Sequence, residues 1–123
     1  MSTVGLIEDD ITMRTLLKTL LEMEDYSVTA FEEHDETALL AALESAPPEL
    51  IIMDVHLRAT NGFDLLSQIR QKQTLKDLLV ILSSGMDYSH QSKVAGADGF
   101  LMKPYMPDDL LVMARGLLDS RKS

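Results

Sequence analysis

Leu50-Ile51-Ile52-Met53-Asp54 is the stretch whose reading decides the fold. Four apolar residues follow one another with no polar alternation, and the run then stops at a carboxylate. A strand with one wet face alternates apolar and polar residues. An unbroken apolar run belongs to a strand covered on both faces, which is the signature of a parallel sheet between two helical layers. Working outward, Leu78 to Leu82 is a second bare run and ends at Ser83-Ser84-Gly85. Thr3-Val4-Gly5-Leu6-Ile7 ends at Glu8-Asp9-Asp10, and Gly99-Phe100-Leu101-Met102 ends at Lys103-Pro104. Tyr26 to Phe31 is rich in strand formers and closes on an apolar residue.

Helical patterns separate these runs. Met13, Leu16, Leu17, Leu20 and Leu21 share one helical face, with Asp10 as an acid at that helix's N-terminus. Asp35 caps a second helix carrying Ala38, Leu39 and Ala42, and Pro47-Pro48 stops it. Asn61-Gly62 marks a turn before a helix with Phe63, Leu66 and Ile69. Pro107-Asp108-Asp109 opens a last helix with proline in its first turn and acids on the positive end of its dipole. The segment between Ser84 and Ala95 has room only for a fourth helix of two turns or fewer. Gly85-Met86 is loop, Asp87 or Ser89 serves as cap, and Tyr88 and Val94 supply almost all of its apolar material. Five strands alternate with five helices, so the chain reads as one α/β domain over 1–123 with a three-layer, doubly wound, five-stranded parallel sheet.

Composition bounds the function. The chain has 123 residues, 46% hydrophobic and 25% charged, as expected of a globular domain able to build its own core. It has no cysteine, hence no disulfide, no thiolate metal site and no cysteine nucleophile. Eleven Lys and Arg against 20 Asp and Glu give a net charge of −9, which argues against direct binding of nucleic acid or an anionic membrane. No apolar run approaches the roughly 18 residues of a membrane span, and no signal segment opens the chain, so the expected compartment is the cytoplasm.

The polar residues at the strand ends carry the chemistry. Ligands of open parallel sheets bind outside the carboxyl ends of the strands, where strand order reverses. Four of the five strands end in such groups: Glu8 and Asp9, Asp54, Ser84, and Lys103. In the common order 2-1-3-4-5 the first and third strands are neighbours, about 4.8 Å apart, and their carboxylates converge. Such carboxylates stay ionised together when a cation joins them. A hard oxygen donor set without imidazole or thiolate suits Mg²⁺, with Mn²⁺ as a substitute. A metal, a lysine and a hydroxyl around one aspartate oxygen are the requirements of phosphoryl transfer.

In this order and spacing, Leu-Ile-Glu8-Asp9-Asp10, Ile-Ile-Met-Asp54, Asn61-Gly62, Ser84-Gly85, Ala-Gly-Ala-Asp-Gly-Phe100 and Lys103-Pro104 make the chain resemble the receiver domain of two-component response regulators, of the kind seen in chemotaxis. The resemblance covers essentially the whole chain and implies the flavodoxin-like receiver fold with order 2-1-3-4-5. It implies that Asp54 is the phosphoacceptor, that Glu8 and Asp9 form the acidic pair at the metal with Asp9 the direct ligand, and that the His56 backbone carbonyl completes the protein's share of the Mg²⁺ shell. Ser84 then hydrogen-bonds the phosphoryl group, Lys103 pairs with it, and Phe100 is the aromatic residue that turns with the state of the switch. His56 and Met86 stand at the two variable positions flanking the pocket. Where the family commonly has Met-Pro or Leu-Pro after the phosphoacceptor, this chain has Leu57-Arg58, which brings a positive charge near the site.

The implied function is a phosphorylation-controlled switch of a two-component phosphorelay, charged by a histidine kinase or phosphotransfer protein and read by a downstream effector or output domain. Catalysis is limited to its own phosphorylation and dephosphorylation. No output domain follows Ser123, so the chain is either a stand-alone receiver or part of a longer protein. Two other readings remain at this stage. A haloacid-dehalogenase-like Mg²⁺ phosphatase also uses a strand-end aspartate, a hydroxyl residue and a lysine, but needs an acid two residues after the nucleophile, where this chain has His56. A pseudo-receiver binding partners without phosphorylation would have lost acidic or lysine positions, and none is lost. Taken singly, Glu8, Asp9 and Asp10 read equally well as helix caps or solvated acids, Ser84 as a turn former, Lys103 as a surface lysine and Phe100 as core, while Asp54 alone stays a candidate; His34 and His90 read as solvated loop residues.

Overall fold

The apolar run at residues 50–53 does face two ways. In the computed structural model, which describes residues 2–58 and 60–122, Leu50 and Ile52 pack into one buried cluster while Ile51 and Met53 pack into another. The neighbouring run divides in the same manner, with Leu79 and Ile81 on one side and Val80 and Leu82 on the other. Each fully buried side chain of this size contributes about 1.5–3 kcal/mol relative to exposure, so neither face can be left to water.

The elements alternate along the chain: β1 (Thr3–Ile7), α1 (Ile11–Met23), β2 (Ser27–Ala30), α2 (Glu36–Ser45), β3 (Leu50–Asp54), α3 (Gly62–Gln71), β4 (Leu79–Ser84), α4 (Ser89–Ala95), β5 (Gly99–Met102) and α5 (Pro107–Lys122). All strand pairs are parallel and their order is β2-β1-β3-β4-β5, as expected. One core lies between the sheet and α2, α3 and α4, the other between the sheet and α1 and α5, and these are the three layers. The caps expected on the first two helices are present. Asp10 accepts from Met13 N at 3.0 Å and Asp35 from Ala38 N at 2.7 Å, each satisfying an otherwise orphaned N–H at a helix start. Among the described residues, no helix is long and apolar enough to cross a membrane.

The differences from the sequence reading lie at element ends. Tyr26 falls outside β2 because its N–H closes the turn after α1, donating to the Leu21 carbonyl. Leu78 falls outside β4 because its N–H closes a turn on Leu75, whereas Ser83 and Ser84 continue the strand, in register with Leu101 and Met102. On α1, Leu17 and Leu21 are buried but Leu16 is largely exposed. The fourth helix has seven residues, about two turns, as the spacing predicts. Neither Asp87 nor Ser89 caps it as expected: the cap position is Tyr88, which makes no side-chain cap bond, and the Asp87 carboxylate instead closes a turn by accepting the Ser89 N–H (3.1 Å) and the Ser89 hydroxyl (2.6 Å). Val94 does not supply apolar packing there: it is 74% exposed. Ser92 takes the buried position instead, and Gly96 ends the helix in the left-handed conformation (φ 95°) that glycine adopts without strain.

Candidate functional site

Register assembles the site. Ile7 pairs with Met53, so the residues after them, Glu8 and Asp54, leave adjacent strands side by side. Asp54 is in register with Ser83, and Ser84 with Met102, which places Ser84 and Lys103 one step further along the same end of the sheet. The Lys103 N–H donates to the Ser84 carbonyl at 2.7 Å, fixing the backbone from which the lysine side chain leans back.

Lys103 joins the two carboxylates. Its Nζ lies 2.8 Å from Glu8 Oε1 and 3.1 Å from Asp54 Oδ2. The side chains of Glu8, Asp54 and Lys103 are only 6%, 15% and 23% exposed, so these are short contacts in a poorly hydrated place. Burial by itself pushes the Lys103 ammonium down, but the hydrogen bonds and negative charges of Glu8 and Asp54 outweigh it and hold its pKa above the ordinary lysine value. Glu8 is further fixed by the Asp10 N–H on Oε2 (3.3 Å), and its backbone carbonyl accepts from Arg14 Nη1 (3.2 Å). Arg14 also pairs with Glu32 at 2.8 Å.

The loop after β3 is bound at both ends. Asp54 Oδ1 accepts from the His56 N–H at 3.3 Å, and Asp9 Oδ2 accepts from the Arg58 N–H at 2.6 Å. The Gly62 N–H donates to the Val55 carbonyl at 2.7 Å, and Asn61 caps α3 through Phe63 N at 2.7 Å. Gly62 must be glycine for this return: a Cβ there would sit 2.8 Å from both the Asp54 carbonyl oxygen and the Val55 Cα. Residue 59 lies outside the described residues. Arg58 lines a cleft with Asp9, Arg14 and Glu32, and it meets Asp9 through its backbone N–H.

Ser84 is fully buried, and its hydroxyl oxygen accepts the Met86 N–H at 3.1 Å. Phe100 is half-buried against the core beneath α4. His56 is exposed, with its ring 5.9 Å from that of Tyr88. The site thus holds Glu8, Asp54 and Lys103 in direct contact, with Ser84 on the next strand and Asp9 turned towards the loop amide.

Two participants were not singled out from sequence. Tyr105 is mostly buried beside the cluster. Its burial raises the phenol pKa, opposed by the nearby Lys103 charge and assisted by Glu8 and Asp54. Arg14 braces the Glu8 backbone from the first turn of α1. Adjacency to Lys103-Pro104 was the available signal for the first, and a cation one turn after a strand-end acid for the second.

The donor chemistry fits a hard divalent cation. Asp9 and Asp54 supply carboxylate oxygens: the Arg58 amide takes Asp9 Oδ2, and Asp54 Oδ1 accepts only the longer 3.3 Å bond from the His56 amide. Among the described residues, however, no three His, Asp or Glu side chains are clustered to hold a metal. Lys103 occupies Glu8 and Asp54, and a loop amide occupies Asp9, so it is the lysine that joins carboxylates in this arrangement.

Comparison with known proteins agrees with this geometry. The family model described as the response regulator receiver domain matches residues 4–115. The chain is 30% identical over 113 residues to the transcriptional regulatory protein ResD of Bacillus subtilis, spanning 91% of this chain and 46% of ResD. It is 34% identical over 116 residues to the nitrate/nitrite response regulator protein NarL of Escherichia coli, spanning 89% of this chain and 51% of NarL. The chain therefore spans about half the length of these curated relatives. Among solved structures, the chemotaxis response regulator CheY4 of Vibrio cholerae superposes with a TM-score of 0.83 at 25% identity, covering 94% of this chain and 97% of CheY4.

Proposed function

Because the chain belongs to the response regulator receiver domain family, whose members are phosphorylation-controlled signalling switches, we propose that Asp54 is its phosphoacceptor. The donor is a histidine kinase or phosphotransfer protein. An Asp54 carboxylate oxygen attacks the donor's phosphorus in line. The new O–P bond forms as the donor's P–N bond breaks, and the departing imidazole nitrogen keeps the electron pair and takes up a proton. The observation that carries this reading is the Lys103 ammonium held within 3.1 Å of Asp54 Oδ2 at the carboxyl end of the sheet. That cation is in place before reaction and neutralises charge on the incoming phosphoryl oxygens. Ser84, one strand over, donates its hydroxyl proton to the phosphoryl group. In doing so it moves away from Met86 and opens the space that Phe100 fills.

Receiver domains generally use Mg²⁺ for phosphotransfer. Here Asp9, Asp54 and the His56 carbonyl would hold it directly, with Glu8 as the second acid of the pair. When bound, the ion supplies positive charge opposite the transferring phosphoryl oxygens. Glu8 keeps Lys103 aligned, and Asp9 would give up the Arg58 amide to hold the ion. Family membership is consistent with catalysis confined to the chain's own phosphorylation and dephosphorylation. A downstream effector or an output domain reads the change.

Intact-mass analysis after acetyl phosphate treatment tests the assignment. One added phosphoryl group is expected with Mg²⁺ and little without it. Asp54→Asn should take up none, because an amide is a poor nucleophile and forms no acyl phosphate; labelling that persists in Asp54→Asn would falsify it.

A further inference from the structure

The acids that the sheet brings to its carboxyl end do not stand open. Lys103 holds Glu8 and Asp54, the His56 N–H holds Asp54 Oδ1 at 3.3 Å, and the Arg58 N–H holds Asp9 Oδ2 at 2.6 Å. The bond to Asp9 stands out. It joins residues 49 apart in the chain, and it is shorter than the capping bonds of Asp10 (3.0 Å) and Asp35 (2.7 Å). An N–H bonded to an ionised carboxylate makes a shorter and stronger bond than one between neutral groups. Its effect is visible in the site. Glu8, Asp9 and Asp54 follow neighbouring strands in register, yet among the described residues no three acids are grouped to hold a metal.

The donor belongs to the backbone, not to the arginine side chain. Any residue except proline would offer this N–H. Arg58 is exposed, and among the described residues its guanidinium makes no hydrogen bond or ion pair. The rest of the loop is closed independently of Asp9. His56 and Asn61 form an antiparallel bridge, and the Gly62 N–H donates to the Val55 carbonyl at 2.7 Å. The Arg58 N–H is thus a tie between the middle of this loop and the residue that follows Glu8 at the end of β1.

We propose that Arg58 is a positioning residue for the metal site: its backbone N–H withholds Asp9, which reaches a divalent cation only by leaving the loop. The inference rests on the reading of Asp9 as a metal ligand. Its energetic form is a population tax. When Asp9 is free of the loop only a fraction of the time, the apparent dissociation constant of the ion rises by the inverse of that fraction. A bond from an N–H to a half-buried carboxylate holds Asp9 most of the time, so the free fraction is about 0.1–0.2 and the affinity is lowered about five- to tenfold. The coupling is reciprocal: whatever draws residues 57 and 58 away from Asp9 tightens the site for the ion. The guanidinium charge would also disfavour a cation, and the two causes separate by substitution. Arg58→Ala removes the charge and keeps the N–H; Arg58→Pro removes both. The difference between the two variants isolates the N–H.

The test titrates MgCl₂ into the unphosphorylated wild type, Arg58→Ala and Arg58→Pro, read by calorimetry and by the NMR shifts of the Asp54, Val55 and His56 amides. Arg58→Pro should bind the ion about five- to tenfold more tightly than Arg58→Ala. Equal affinity in these two variants would overturn the inference and leave the metal reading standing. No saturable binding in any of the three proteins would overturn both. The wild type supplies a second measurement that does not depend on the proline variant folding. In EDTA the Arg58 amide should exchange with solvent at least about fivefold more slowly than in saturating Mg²⁺, because the ion and the N–H compete for one carboxylate. An Arg58 amide whose exchange rate Mg²⁺ leaves unchanged would overturn the proposal.

Discussion

Replacing Lys103 by methionine removes the charge while keeping most of the stem, and the cost can be worked from the contacts. The ammonium bonds Glu8 at 2.8 Å and Asp54 at 3.1 Å. Without it Glu8 Oε1 has no partner, Glu8 Oε2 keeps only the 3.3 Å Asp10 amide, and Asp54 keeps only the 3.3 Å His56 amide. Removing one member of a buried pair costs about 3–5 kcal/mol, and of an exposed pair about 0–1 kcal/mol. With exposures of 6%, 15% and 23% for Glu8, Asp54 and Lys103, the site lies nearer the buried limit. Some solvent still reaches the lysine, so about 2–3 kcal/mol is expected at neutral pH. The assay is urea unfolding in EDTA, so that no metal substitutes for the missing cation, with the slope checked to be unchanged. A double-mutant cycle isolates the pair: in a Glu8→Gln background, Lys103→Met should cost at least about 1 kcal/mol less. A loss below about 0.5 kcal/mol in the wild-type background, or an identical loss in both backgrounds, would refute the reasoning, since either result is what a solvated pair would give.

Three further outcomes follow from the same geometry. The Lys103 contribution has a pH signature: its folded-state pKa is raised above the ordinary 10.5, so the contribution is fully present below that value and is lost as pH rises through the higher folded value. The stability difference between wild type and Lys103→Met, followed by urea unfolding, should therefore be flat at neutral pH and shrink only in strong alkali. Gly62→Ala would set a Cβ 2.8 Å from the Asp54 carbonyl oxygen and the Val55 Cα, backbone atoms that cannot swing aside. A loss of about 1–3 kcal/mol is expected by denaturation, together with slower labelling by acetyl phosphate. Ser84→Ala leaves the Met86 amide without its acceptor, at a cost of about 1 kcal/mol. It should still label at Asp54 while the NMR shift at Phe100 on phosphorylation falls, and an undiminished Phe100 response would exclude the coupling through Ser84.

Strand-end chemistry was legible because it depends on local order along the chain. Leu50 to Met53 had to be a doubly covered strand, since no one-sided sheet hides four consecutive apolar side chains, and whatever followed had to emerge at the sheet's end. Asp10 and Asp35 could be read as caps because a cap is satisfied within four residues of itself. The sequence by itself therefore determined the layers, the alternation, the short α4 and the identity of the groups at the carboxyl ends. Only tertiary structure decided what those groups touch. Lys103 and Glu8 are 95 residues apart and Arg58 and Asp9 are 49 apart, so which carboxylate takes the ammonium and which takes a loop amide depends on register and loop closure, not on local pattern. The same holds for Val94, whose helical spacing looks apolar and inward while the folded chain leaves it facing solvent and buries Ser92 instead. Periodicity records which residues share a face; what that face meets is set by contacts between elements distant in the chain.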